Sequence, residues 1–260
     1  MKRQQVPMTW EEYEVMPWRL GWKHEYFNGM AHLTPRQQSV LTIVEVASRD
    51  VPTACTIRAI VPADADELKR LFFEVFHDSL EYCDYEEADI QQSAERCIDA
   101  YFEAEQASLL GMSQGAIAPD QSLIGAALVI EQEERPPLLR LLCVAAPWQR
   151  QGIATCMVAT ILNGLCSTSY QQLESRYFLA NEGSRNWHRK FGFQDQPDVF
   201  VTRLYFRLAQ HELWRQEQLG QLSAAELAVL TAECDRLQKE VESLEAEWMN
   251  TIRCESQPAD

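Results

Sequence analysis

No stretch of the 260-residue sequence approaches the ~20 consecutive apolar residues that a bilayer-spanning helix needs. The opening MKRQQVPMTW also lacks the apolar run of a secretory signal, so the expectation is a cytoplasmic protein with no membrane partner. Clustered cysteines are missing too. The eight cysteines (55, 83, 97, 143, 156, 166, 234 and 254) are scattered, and no pair has the close spacing of a zinc knuckle or a dithiol redox motif. This predicts no metal site and reduced, mostly buried thiols. Positive charge is scarce. Thirty-nine acids face 23 bases, a formal balance of −16 that repels phosphate backbones, argues against direct nucleic-acid binding and suits a cationic partner. Hydrophobic residues at 46% and charged residues at 24% are near globular averages, so a folded chain with one main core plus appendages is expected.

What is present falls into three consecutive segments, 1–52, 53–207 and 208–260. In the first, Asn28-Gly29 stands between two strand-like runs and predicts a type I′ hairpin, because both turn positions need positive φ. Gln38 to Ala47 reads as a further strand. The strings MTWEEYEVMP, KHEYFNG and TPRQ resemble the N-terminal hairpin of the Uma-type restriction-endonuclease-like domains. That resemblance covers about forty residues and stops before any acidic nuclease motif, so it implies a shape and no cleavage chemistry.

The middle segment alternates strands and helices. Cys55 to Val61 reads as a strand. Asp64, with Glu67 three residues on, reads as the N-cap of a helix carrying Leu68, Leu71, Phe72, Val75 and Phe76. A second helix spans Ile90 to Phe102, with Cys97, Ile98, Tyr101 and Phe102 on one face. Ser122 to Glu131 and Leu138 to Ala145 read as a hairpin turned by Glu133 to Pro137. Gly152 to Leu165 reads as a nearly buried helix, Tyr177 to Ala180 as a strand, the stretch to Lys190 as a short helix, and Val199 to Phe206 as an alternating strand. In the last segment Ser223 and Glu226 have capping-box spacing, and Leu227, Leu230, Cys234, Leu237, Val241, Leu244 and Trp248 advance by threes and fours. Such a seam serves either a helical hairpin folded back on the core or a homodimeric coiled coil; periodicity does not separate them.

Chemistry concentrates in Leu141 to Thr155, where a buried strand ends and a helix opens at Gly152 and Ala154. The first turn of a helix has unpaired N–H groups and a partial positive charge, and small residues keep it open to an anion. The segment resembles the coenzyme A motif of the GNAT acetyltransferase superfamily, Gln/Arg-x-x-Gly-x-Gly/Ala, with Gln149, Gly152 and Ala154 on its defining positions. Downstream, Asn181 to Phe193 is similar to that superfamily's Asn-x-x-Ala-x-x-Phe-Tyr-x-x-x-Gly-Phe signature, with Asn181, Gly192 and Phe193 retained. The resemblance spans about residues 53–207. It implies a mixed α/β fold with a mostly antiparallel central sheet and flanking helices, extended by an N-terminal β-hairpin and a C-terminal helical or coiled-coil segment.

The same resemblance implies acetyl-CoA as co-substrate and an amine acceptor. The backbone of Leu142, Cys143 and Val144 would pair with the pantetheine arm. The N–H groups of Arg150, Gln151, Gly152, Ile153, Ala154 and Thr155 would hold the pyrophosphate, and Asn181 would lie beside the pantetheine. His188 stands where relatives usually place a tyrosine that protonates the departing thiolate. Relatives often put a glutamate base where this chain has Arg176, so Glu174, on the same face by period-two counting, is the substitute candidate; Glu131, Glu133, Glu134 or a water chain are others. An amine with a pKa near 10.4 needs such help, since deprotonation at pH 7 costs roughly 4–5 kcal/mol. Ten acids against one base between His77 and Glu105, with Asp84, Glu86, Glu87 and Asp89 close together, would attract a cationic amine. A non-catalytic acyl-CoA sensor is the alternative.

Overall fold

The computed structural model describes residues 3–51, 55–103 and 109–255, so Glu105 and the side chain of Cys254 lie outside the described residues. The chain opens with β1 (Gln4–Pro7), α1 (Trp10–Glu14), β2 (Trp22–Phe27) and β3 (Met30–Pro35), whose strands form an antiparallel sheet in the order β1-β3-β2. Asn28 at φ 53° and Gly29 at φ 72° make the turn, as the positive-φ requirement of a type I′ hairpin demands. Thr9 and Glu12 close a reciprocal capping box on α1, with bonds of 2.7 and 3.2 Å.

Then come β4 (Ser39–Glu45), β5 (Thr56–Ala59), α2 (Ala65–Phe76), α3 (Glu87–Glu103), β6 (Gln114–Ile117), β7 (Leu123–Gln132) and β8 (Arg135–Val144). These are followed by α4 (Ile153–Leu165), β9 (Gln172–Phe178), α5 (Glu182–Phe191) and β10 (Gln194–Asp195). Their strands form one seven-stranded sheet in the order β10-β4-β9-β8-β7-β6-β5, antiparallel except where β8 meets β9. The mixed sheet with flanking helices is the expected class.

Both faces of the central strands are covered, which is why β7 reads as an unbroken apolar run. Ala127 and Val129 join Met157, Ile161 and Leu162 of α4 in one core cluster, while Ala126 and Leu128 join Leu68, Leu71, Ile90 and Ile98 of α2 and α3 in another.

The last helices are α6 (Val199–Leu219) and α7 (Ala224–Glu255). The strand expected at Val199 to Phe206 is therefore wrong. Asp198 accepts the Val201 N–H at 2.8 Å and starts a helix, and Val199, Val201 and Thr202 are buried at helical spacing. The place beside β9 is already filled by β4: the Val46 N–H donates to the Gln171 carbonyl and the Leu179 N–H to the Gln38 carbonyl, both at 2.8 Å, an antiparallel arrangement.

Smaller departures have local causes. Gln132 pairs directly with Arg135, so the β7–β8 turn is Glu133-Glu134 alone, and Pro136 and Pro137 sit at the start of β8. The strand expected at Tyr177 begins earlier, at Gln172. Asp64 stands at the N-cap of α2 as expected, but its carboxylate makes no capping bond there: it is taken up by a two-pronged bond from Arg58 at 2.7 Å and by the Val61 N–H at 2.9 Å. Of the described cysteines all are free thiols; Cys143, Cys156 and Cys234 are buried and Cys166 is exposed.

Contacts group the chain into two compact units, each discontinuous in sequence. One comprises Leu41–Tyr177 and Gly183–Asp195, and holds most of the seven-stranded sheet. The other comprises Arg3–Val40, Phe178–Glu182 and Gln196–Asp260. In the latter, Gly220 at φ 59° ends α6, and the expected Ser223–Glu226 capping box opens α7. Cys234, Leu237 and Val241 of the predicted seam are buried in the hairpin of α6 and α7, which Arg203 and Glu245 tie together at 2.8 Å.

In the same unit His24 stacks on Trp18, ring centroids 5.5 Å apart. Burial, with the nearby His211 and Arg19, lowers its pKa from 6.5 to about 4. Between those values the unfolded chain holds the extra proton. Stability is thus complete above about pH 6.5 and falls as pH drops toward 4, by at most one proton's worth of linkage. The urea midpoint should fall between pH 7 and pH 5, and less steeply in His24→Asn.

Candidate active site

Three features converge on the end of β8. The first is a bulge. Leu128 pairs with Leu141 and Val129 with Leu139, leaving Arg140 unmatched on β8. An extra residue bends its strand away from its neighbours. The second is the break that follows: β8 and β9 pair in parallel at Leu138↔Glu174 and Leu139↔Ser175, and no further pair follows among the described residues. Among the described residues the strand partners of Leu142, Cys143 and Val144 are then Ala127, Ala126 and Gly125 of β7. Their edge on the β9 side has no strand partner among the described residues.

The third feature is the start of α4. Gly152 is its N-cap at φ 83°, a left-handed conformation that suits glycine, and a Cβ built there would meet nothing within 4 Å. Cys156 makes the first helical bond, to the Gly152 carbonyl at 2.9 Å, so the N–H groups of Ile153, Ala154 and Thr155 precede the ladder. Ile153 is 2% exposed and anchors the turn in the core. Gln149 reaches back to the Val144 carbonyl at 2.9 Å and Gln151 to the Pro147 carbonyl at 3.1 Å, which holds the turn in shape. Arg150, at φ 61°, is exposed. An unblocked helix start that attracts anions thus directly follows the strand end at Val144.

The two residues expected to move protons are differently employed. His188 on α5 is 3% exposed; its Nδ1 lies 2.8 Å from the Ser184 carbonyl and its Nε2 2.9 Å from Ser175 Oγ. A carbonyl only accepts, so Nδ1 carries the proton and Nε2 accepts from the serine. Burial holds its pKa below the usual imidazole value, which keeps the ring neutral and its proton engaged. Glu174 is 4% exposed, and its Oε2 accepts from Arg135 at 2.8 Å and from Gln132 at 3.0 Å. It is the buried half of an ion pair whose other half, Arg135, is exposed. Glu131 accepts from the Tyr170 hydroxyl, while Glu133 and Glu134 are exposed at the hairpin tip. Asn181 follows β9, half-buried, its N–H donating to the Phe178 carbonyl at 2.8 Å. Cys143, wholly buried, has its thiol pushed up to about 12 by burial, so it is no nucleophile at neutral pH.

The bulge at Arg140 and the Ser175–His188 pair are absent from the sequence expectations. A bulge leaves no periodicity signal in a run that is apolar on both sides of it.

No family model matches the chain, and no curated protein matches it. Among solved structures it is similar to a GCN5-related N-acetyltransferase from Sphaerobacter thermophilus, at 14% identity and TM-score 0.46 over 61% of this chain and 48% of that one. It is similar to a functionally unknown conserved protein from Staphylococcus epidermidis, at 11% identity and TM-score 0.45 over 61% and 57%. An aminoglycoside 6′-N-acetyltransferase from Acinetobacter baumannii matches at 17% identity and TM-score 0.40 over 55% and 92%. The chain thus spans about half the length of the first two.

Proposed function

We propose that the unit containing α4 transfers an acetyl group from acetyl-CoA to a primary amine, by direct attack within a ternary complex. The observation that carries this reading is the parting of β8 from β9 beside the open start of α4. The free edge of Leu142 to Val144 would pair with the pantetheine amides. The N–H groups of Arg150 to Thr155 would hold the pyrophosphate, with the Arg150 guanidinium adding charge. Bound acetyl-CoA supplies an activated carbonyl. The amine nitrogen bonds to the acetyl carbon as the C–S bond breaks, the amine's proton leaves to solvent, and the thiolate takes one up. The inert Cys143 argues against an acyl-cysteine route.

With His188 bonded at both ring nitrogens and the Glu174 carboxylate held by Arg135 and Gln132, proton transfer through water at the open gap is the better-supported route. In this arrangement those two side chains position β9 and α5. The same observation favours a second reading, a binding protein that senses acyl-CoA without turning it over. Release of free thiol from acetyl-CoA against a panel of amines separates the two. Amine-dependent release supports transfer; saturable binding with no release under any amine supports the sensor.

The acceptor is expected to be cationic, either a small polyamine-like molecule or a protein lysine or N-terminus. Asp84 and Glu86 are exposed on the turns between α2 and α3, and Glu87 is exposed at the start of α3. Reversing Asp84, Glu86 and Glu87 to lysine should raise the amine's KM roughly tenfold and leave that of acetyl-CoA nearly unchanged. Equal rises in both would remove this patch from acceptor recognition.

A further inference from the structure

The unit containing α6 has a cavity of its own, about 480 Å³ in volume, lined from Trp18 to Trp22, by His24 and Arg36, and by one side of α6. That is enough room for a small organic ligand. Its chemistry is the reverse of the chain's. The protein carries 39 acids against 23 bases, yet among the described residues no aspartate or glutamate lines this cavity, while Arg19, Arg36 and Arg207 all do.

None of those three guanidiniums has a carboxylate partner among the described residues. The contrast along α6 is direct: Arg203 is bound to Glu245 at 2.8 Å and Arg215 to Glu212 at 2.6 Å, whereas Arg207 between them faces the cavity unpaired. Arg19 lies over the Trp22 ring at 4.1 Å and donates to Gln4 at 3.2 Å, both neutral partners. Two further donors in the lining residues, Arg36 Nε and Trp18 Nε1, are buried with no acceptor among the described residues. A buried N–H without an acceptor is costly, and a cluster of unmatched donors calls for an oxygen-rich partner.

The walls are flat and rigid. Trp18 is stacked by His24 and by His211, whose ring lies 4.0 Å away, and Trp214 tilts against His211 at 5.8 Å while remaining 38% exposed at the rim. The Nε2 of His211 donates to the Met16 carbonyl at 2.9 Å, and His24 accepts the Arg19 N–H at 3.2 Å, so both imidazoles are locked in place. With His24 neutral at pH 7, the positive charge of the cavity comes from the three arginines. Guanidiniums bind carboxylates and phosphates two-pronged, and an exposed indole offers a face to a planar group.

We propose that this cavity binds a small organic oxyanion, one that carries at least two carboxylate or phosphate charges and is no larger than a mononucleotide. Titration calorimetry on the full chain at about 0.05 M salt with inorganic pyrophosphate, citrate and AMP distinguishes phosphate, carboxylate and aromatic phosphate. At least one probe should bind one-to-one with Kd below about 1 mM. Arg207→Gln should weaken it roughly tenfold and Arg36→Gln at least as much, whereas Arg203→Gln, whose partner is Glu245, should leave it unchanged. Gly152→Glu should also leave it unchanged, which keeps this site distinct from the start of α4. The proposal fails if no probe binds at about 5 mM, if Arg207→Gln binds as the unaltered chain does, or if Gly152→Glu abolishes the binding.

Discussion

Gly152→Glu is expected to lower acetyl-CoA affinity at least about 100-fold, equivalent to about 2.7 kcal/mol, in a chain that still folds. The substitution acts at one point with two effects. At φ 83° an L side chain carries strain of roughly 1–2 kcal/mol, but a Cβ meets no neighbour within 4 Å, so nothing in the core moves. The new carboxylate stands where the first N–H groups of α4 would receive a doubly charged pyrophosphate, replacing an attraction by repulsion. Gly152→Ala separates the two contributions, since it has the strain without the charge. It should melt at the same lowered temperature as Gly152→Glu yet keep most of the affinity. Ligand stabilisation gives the readout: unaltered chain and Gly152→Ala should melt higher with saturating coenzyme A, and Gly152→Glu should not. A full ligand-induced shift in Gly152→Glu would move the pyrophosphate away from α4.

Removing residues 1–52 is expected to yield an insoluble chain. The cut follows the consecutive segments that the sequence suggests, but it takes β4 with it. Val40, Thr42 and Val44 are 1%, 0% and 2% exposed, and each apolar side chain of that size contributes about 1.5–3 kcal/mol by burial. Losing β4 also bares the backbone of β9, a strand with Leu173, Glu174, Ser175 and Tyr177 all buried, and leaves β10 without a neighbour. A long, flat, apolar edge templates pairing with other chains. Removing only residues 1–37 keeps β4, and that chain should stay soluble and retain its coenzyme A-dependent rise in melting temperature. If the two truncations sediment alike, β4 is not what protects the sheet.

Local chemistry was legible wherever one residue type enforces one conformation. Asn28-Gly29 announced its turn because side chains other than Asn and Gly resist positive φ, and Ser223-x-x-Glu226 announced α7 because its two bonds are reciprocal. Gly152 is legible for a different reason, its small size at an expected helix start, and a Cβ built there meets nothing within 4 Å. Val199 to Phe206 misled because its alternating apolar residues satisfy a strand and a helix equally; the choice falls to Asp198, whose carboxylate caps the helix, and to a sheet position already taken. Glu174 and His188 were placed on the right elements, but which groups surround them is a matter of tertiary packing. Arg135 reaches Glu174 across the β8–β9 pair, a relation no local pattern encodes. The bulge in β8 is a single unmatched residue, Arg140, which composition and spacing pass over.

The strand that closes the sheet beside β9 is made first and used last. Val46 and Gln171, which bond at its end, are separated by roughly 125 positions. At ribosomal speed β4 leaves the exit tunnel on the order of ten seconds before its partner exists. Throughout that interval a nascent segment carrying Val40 and Val44 has no native neighbour on that side, so its apolar side chains and unpaired edge stay bare until β9 is made.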